Sequence, residues 1–124
     1  MNTILLSIKP KYAQQIIDGN KRYEFRRTIA KNDINTIIIY SSFPVQKIVG
    51  KASVKSIISN KPSTLWGLVK QWAGIRRKDF DEYFKGKDIA YAYELGEVAI
   101  FKTPKNLSDY GFNTAPQSFM YIRD

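Results

Sequence analysis

The chain has 124 residues, 44% of them hydrophobic, and its 20 Lys/Arg outweigh 11 Asp/Glu to leave a formal charge of +9. It contains no cysteine and no histidine, which removes a disulfide framework, a Cys/His zinc site, a cysteine nucleophile and a Ser-His-Asp triad. Any catalysis falls to Lys, Asp/Glu, Ser/Thr, Tyr or Arg. The length suits one domain over residues 1–124. No apolar run reaches the length of a membrane span and no signal-peptide pattern opens the chain, so no membrane partner and a cytoplasmic location are expected. No phosphate-cradling glycine motif is present, and neither a cofactor nor a metal is expected.

The charge is uneven. Residues 1–62 hold 11 Lys/Arg against three acids, Asp18, Glu24 and Asp33, whereas residues 63–124 hold nine against eight. A cationic field concentrated in one half favours an anionic partner such as RNA or a nucleotide-like ligand, and the plain alternative is a solvated basic surface.

In chain order, strands are predicted near 3–8, 21–27, 35–42, 47–58, 88–95, 97–103 and 118–123. Pro10 suits the first turn of a short helix with Tyr12, Ala13, Ile16 and Ile17 on one face, and Gly19 suits its left-handed end. Thr36–Tyr40 is a β-branched run expected of a strand buried on both faces. Ala52, Val54 and Ser56 alternate with Lys51, Ser53 and Lys55, giving a strand with one wetter face. Residues 61–74 read as a helix with Ser63 as a possible cap. Asp79 and Glu82 read as a capping-box start for a second helix, ended at Gly86. The aromatics Trp66, Trp72, Phe80, Tyr83 and Phe84 sit at helical spacing and read as core. Gly74–Lys78 is a basic turn, and 103–117 reads as a long irregular connection. Short strands around inserted helices, without a βαβ rhythm, point to an α+β barrel.

The most informative segment is Ser7–Arg27. Gly19-x-Lys21-x-x-Glu24-x-Arg26, preceded by Ser7-Ile8-Lys9-Pro10, resembles the ASCH domain, a branch of the PUA-like superfamily. Ile37–Ser42 running through Pro44 to Ile48-Val49-Gly50, and Ala115-Pro116-Gln117-Ser118-Phe119, match further blocks in the family's order. The resemblance implies a PUA-like mixed or antiparallel β-barrel with two to three flanking helices, and a pocket at its mouth lined by Lys21 and Glu24. Some members are amidohydrolases acting on acetylated cytidine, and others are ribonucleases. In the amidohydrolases a catalytic Thr follows the Lys by three residues. Here that position is Glu24, and Glu94 or Glu97 could stand for the family's later Glu.

The expected function is therefore an RNA- or nucleotide-binding domain. Ser7, Lys9, Lys11, Lys21, Arg22, Glu24, Arg26, Arg27, Ser41, Ser42, Gln117 and Ser118 frame the cleft. Lys and Arg would hold phosphate, while Glu24, Gln117 and Ser118 would orient the base. One alternative is a small metal-independent hydrolase with Lys21 as cation and Glu24 as acid/base; another is a protein-interaction module in transcription regulation. Strand parity puts Arg22, Glu24 and Arg26 on one face and Tyr23 and Phe25 on the other. Lys21 reaches the Glu24 face only from the turn after Gly19. A Glu24–Arg26 ion pair serving structure alone is the plain alternative for this pair.

Overall fold

A computed structural model describes residues 2–30 and 33–122. Strand β1 (Thr3–Ile8) leads into helix α1 (Pro10–Ile17), followed by β2 (Tyr23–Arg26), β3 (Thr36–Ser41) and β4 (Lys47–Asn60). Helices α2 (Pro62–Val69) and α3 (Arg77–Tyr83) come next, then β5 (Ala90–Lys105) and β6 (Phe119–Ile122). The six strands form one mixed sheet in the order β2-β5-β4-β3-β1-β6. Only β1 and β3 run parallel, and the other neighbours are antiparallel. The sheet curls into an α+β half-barrel flanked by three helices, as the sequence led us to expect.

The parity of β3 shows why both its faces had to be apolar. Ile37 and Ile39 join Ile4, Leu6, Ile8 and Tyr93 in the core beneath α1. Ile38 and Tyr40 point the other way, into a cluster with Leu5 and Ile48 that Phe101, Leu107 and Tyr110 cover. A third cluster joins Phe25 of β2 to Leu65 and Val69 of α2 and to Phe80 and Phe84 around α3. The Phe25 and Phe80 rings meet edge to face at 5.1 Å, a geometry that adds specificity to area burial. In β4, Ala52 is buried between exposed Lys51 and Ser53, as the alternation predicts.

Several boundaries differ from expectation. The two strands predicted at 88–95 and 97–103 are one strand, because Gly96 bends β5 without ending it. A Cβ there would lie 2.5 Å from the Ser53 hydroxyl, so glycine permits a close approach to β4, whose ladder shifts register nearby. The irregular segment begins later than predicted, since β5 reaches Lys105 and a short 3-10 helix covers Leu107–Tyr110. Ser63 is not a cap, because Lys61 holds that position and Pro62 opens α2. Asp79 and Glu82 form no capping box. Helix α3 already starts at Arg77, and the Asp79 carboxylate instead pairs with Arg76 at 3.1 Å. The predicted residue 123 of the last strand lies outside the described residues. Gly19 and Gly86 have the left-handed φ values of +83° and +79° expected of helix ends.

Candidate functional site

The decisive local feature is where β2 begins. After Gly19 the chain does not enter the strand at once: Lys21 N–H donates to Gln15 O at 3.1 Å, and Arg22 N–H donates to Trp72 O at 2.9 Å. Lys21 therefore belongs to the turn, free of strand parity, and its side chain reaches the same cleft as Glu24. This cleft, about 700 Å³, opens between the end of β1, α1, β2 and α3.

Its floor is charged and almost dry. Lys21 is 3% exposed and Glu24 6%. The Lys21 ammonium donates to Ala73 O at 2.7 Å and lies 4.6 Å from the Phe25 ring centroid and 5.1 Å from that of Tyr12. Two ring faces and one carbonyl replace much of its hydration. Burial lowers its pKa from 10.5 to about 8, against the attraction of Glu24 and with a smaller push from Arg26. Beside it, Arg26 Nη2 donates to Glu24 Oε2 at 2.7 Å and to Ser7 O at 2.8 Å. Arg26 Nε is buried without a hydrogen-bond partner among the described residues, so this guanidinium retains an unused donor. Burial also raises the Tyr12 hydroxyl pKa, with Asp79 and Glu24 adding to the rise, and that of Tyr83, where the Arg26 charge works against it.

The rim is wet. Lys9 and Lys11 are exposed at the entry of α1 and make no ion pair among the described residues. Arg27 is also exposed, with Nε donating to Tyr83 O at 2.6 Å and its guanidinium stacked 4.4 Å from the Tyr83 ring centroid. Ser42 and Gln117 add a hydroxyl and an amide at the mouth.

Nine of the twelve residues expected to frame the cleft line it: Ser7, Lys9, Lys11, Lys21, Glu24, Arg26, Arg27, Ser42 and Gln117. The other three lie elsewhere. Ser41 is buried at the end of β3. Ser118 offers its carbonyl to Ser7 N–H at 3.0 Å as the chain enters β6. Arg22 points into a second cavity. Sequence reasoning missed the α3 wall, made by Ile75, Arg76, Asp79, Glu82 and Tyr83. The basic turn at Gly74–Lys78 was the available signal. Tyr83 packs against the Phe80 and Phe84 core cluster as expected, and its ring also forms part of this wall; Trp72, assigned to the core, is 37% exposed. Among the described residues no group of three acidic side chains is placed to hold a metal ion.

The curled mixed sheet with its flanking helices is the fold of an ASCH domain. The ASCH domain model matches residues 6–100, and the chain belongs to that family. A relative from Zymomonas mobilis, named an ASCH domain-containing ribonuclease, is 32% identical over 124 residues, covering 96% of this chain and 83% of the relative. The crystal structure of ASCH from Zymomonas mobilis aligns with a TM-score of 0.90 at 29% identity, over 98% of this chain and 88% of that one. The large ribosomal subunit protein uL22 of Ureaplasma parvum is 30% identical over 122 residues. That match covers 98% of this chain but only 39% of the relative's length.

Proposed function

We propose that the cleft binds single-stranded RNA. The observation that carries this reading is the set of cations at the mouth, Lys9, Lys11 and Arg27, which no carboxylate neutralises among the described residues. Phosphates reach these groups without breaking a native ion pair, whereas the Arg26 charge is already committed to Glu24. Gln117 and Ser42 provide the hydrogen-bonding groups a base edge needs, and the Tyr83 ring offers an aromatic surface. The ribonuclease name of the Zymomonas relative supports RNA as the partner.

A second reading, metal-independent RNA cleavage in the same cleft, is favoured by Lys21. With a pKa of about 8, about a tenth of its amine is neutral at pH 7, far more than for an ordinary lysine, which suits it to proton transfer. Glu24 suits that role less, because its carboxylate is held by Arg26 at 2.7 Å. In this reading Lys21 accepts the ribose 2′-hydroxyl proton. The 2′-oxygen attacks the adjacent phosphorus, and the 5′-oxygen departs with a proton from solvent.

One titration tests both readings: fluorescence anisotropy with a labelled single-stranded RNA, followed by mass spectrometry of the recovered RNA. Arg27→Glu is expected to weaken binding about tenfold or more, and Lys102→Glu, on the exposed end of β5, much less. Equal losses would remove the cleft as the binding face. RNA recovered intact after prolonged incubation would remove the cleavage reading and leave the binding one.

A further inference from the structure

Arg22 lies between the motif residues Lys21 and Glu24 and was expected to frame the cleft, yet the cleft does not use it. It lies on the wall of a second cavity of about 680 Å³, which shares Lys21 with the cleft. We propose that this cavity is a second contact for the same RNA strand, in which the Arg22 guanidinium receives a phosphate of a flanking nucleotide. The inference rests on the RNA-binding reading of the cleft.

The geometry is that of a prepared anion site. The Arg22 guanidinium carbon sits 4.0 Å from the Trp72 ring centroid. Its backbone is fixed on both sides: the N–H donates to Trp72 O at 2.9 Å, and the C=O accepts from Leu95 N–H at 2.9 Å. The side chain is exposed and makes no ion pair or hydrogen bond among the described residues. Stacking holds the planar group in place while its N–H edge stays free, so little rotamer freedom remains to be lost on binding. A guanidinium tied into a structural network spends donors on protein acceptors, as Arg26 Nη2 does on Glu24 and Ser7 O.

The rest of the wall fits a nucleotide better than a bare anion. Lys55, exposed on β4, supplies a second cation on the same cavity. Glu94 and Glu97 lie on it too. Glu94 accepts the Ser56 hydroxyl at 2.8 Å, but the Glu97 carboxylate has no partner among the described residues. Carboxylates repel phosphate and accept the exocyclic amine of cytosine. A cytidine nucleotide would satisfy both signs of charge, with phosphate on Arg22 and Lys55 and the base amine on Glu97. Lys21, common to both cavities, places the second contact next to the first along one strand.

Strand length tests this directly. Binding of oligocytidylates of about 4 and about 12 nucleotides, spanning the usual single-strand site sizes, is measured by anisotropy for the wild type, Arg22→Gln, Trp72→Ala and Arg27→Glu, with melts to confirm folding. Arg22→Gln and Trp72→Ala are expected to weaken the longer strand about tenfold and the shorter one less than about twofold. Arg27→Glu is expected to weaken both. Equal losses at both lengths for Arg22→Gln, or none at either, would overturn the second contact while leaving the cleft intact. A wild type that binds neither length would overturn the RNA reading and this inference together.

Discussion

The floor and the rim of the cleft use the same residue types under opposite solvation, and that difference separates structure from recognition. At the floor, Lys21, Glu24 and Arg26 are largely withdrawn from water and bound to protein partners. Removing one of them leaves another charge or donor uncompensated. At the rim, Lys9, Lys11 and Arg27 are exposed and form no ion pair among the described residues. They are the charges a ligand can neutralise at little cost to the fold. Substitutions at the floor should therefore register in stability, and those at the rim in binding.

The largest expected effect is at Glu24. Glu24→Gln leaves Arg26 as a mostly buried cation facing a neutral amide, and should destabilise the domain by about 3 kcal/mol, measured by urea unfolding. A variant as stable as the wild type would mean that the pair is not structural, which would return Glu24 to the list of catalytic candidates.

Lys21 should reveal itself through pH. In the folded protein it loses its proton near pH 8, whereas in the unfolded chain it keeps it to about 10.5. Between these values the unfolded state binds more protons, so stability rises with pH. The gain should be about 1 kcal/mol between pH 7 and 9. Burial raises the pKa of Tyr12, Tyr83, Tyr93 and Tyr110 above 10. Those groups bind more protons in the folded state, so they lower stability once the unfolded tyrosines begin to ionise near pH 9, about a unit below their ordinary value. The rise is therefore read below that pH. In Lys21→Met the rise should vanish; its persistence would show that another group carries it.

Two glycines sharpen the comparison further. Gly74 has φ +65°, and a Cβ there would lie 2.5 Å from Lys21 Cβ and 2.7 Å from its Cγ. Gly19 has φ +83° but nothing within 4 Å. Gly19→Ala should then cost about 1 kcal/mol, from backbone conformation alone. Gly74→Ala should cost about 2 kcal/mol, adding the displacement of a packed side chain, and should shift the pH dependence assigned to Lys21. Equal melting temperatures for the two variants would show that the turn holding Lys21 is softer than its contacts suggest.

Much of the fold was legible because it follows from local rules. Pro10 and Gly19 bound α1, and the run Thr36–Tyr40 could only be a strand covered on both faces. The fused strand β5 was not legible, since a glycine marks both a break and a close approach, and only the partner Ser53 decides between them. The Glu24–Arg26 face followed from the period of a strand. The burial of Lys21 did not, because it depends on Ala73, Tyr12 and Phe25, which come from three separate parts of the chain. Arg22 shows the same limit. Its charge beside Lys21 was plain, but its direction was set by Trp72, 50 positions later. The α3 wall escaped for a related reason: its helix presents Phe80 to the core and Tyr83 to the cleft, and spacing alone does not say which face is which.

The smallest effect on the fold is also the most direct test of the account. Lys9→Gln with Lys11→Gln should leave the urea midpoint nearly unchanged, because both side chains are exposed and form no ion pair among the described residues. The same variant should flatten the dependence of log affinity for single-stranded RNA on log salt by about 1.4, the contribution of two phosphates. A double variant with the wild-type salt slope would contradict the assignment of RNA recognition to the rim of this cleft.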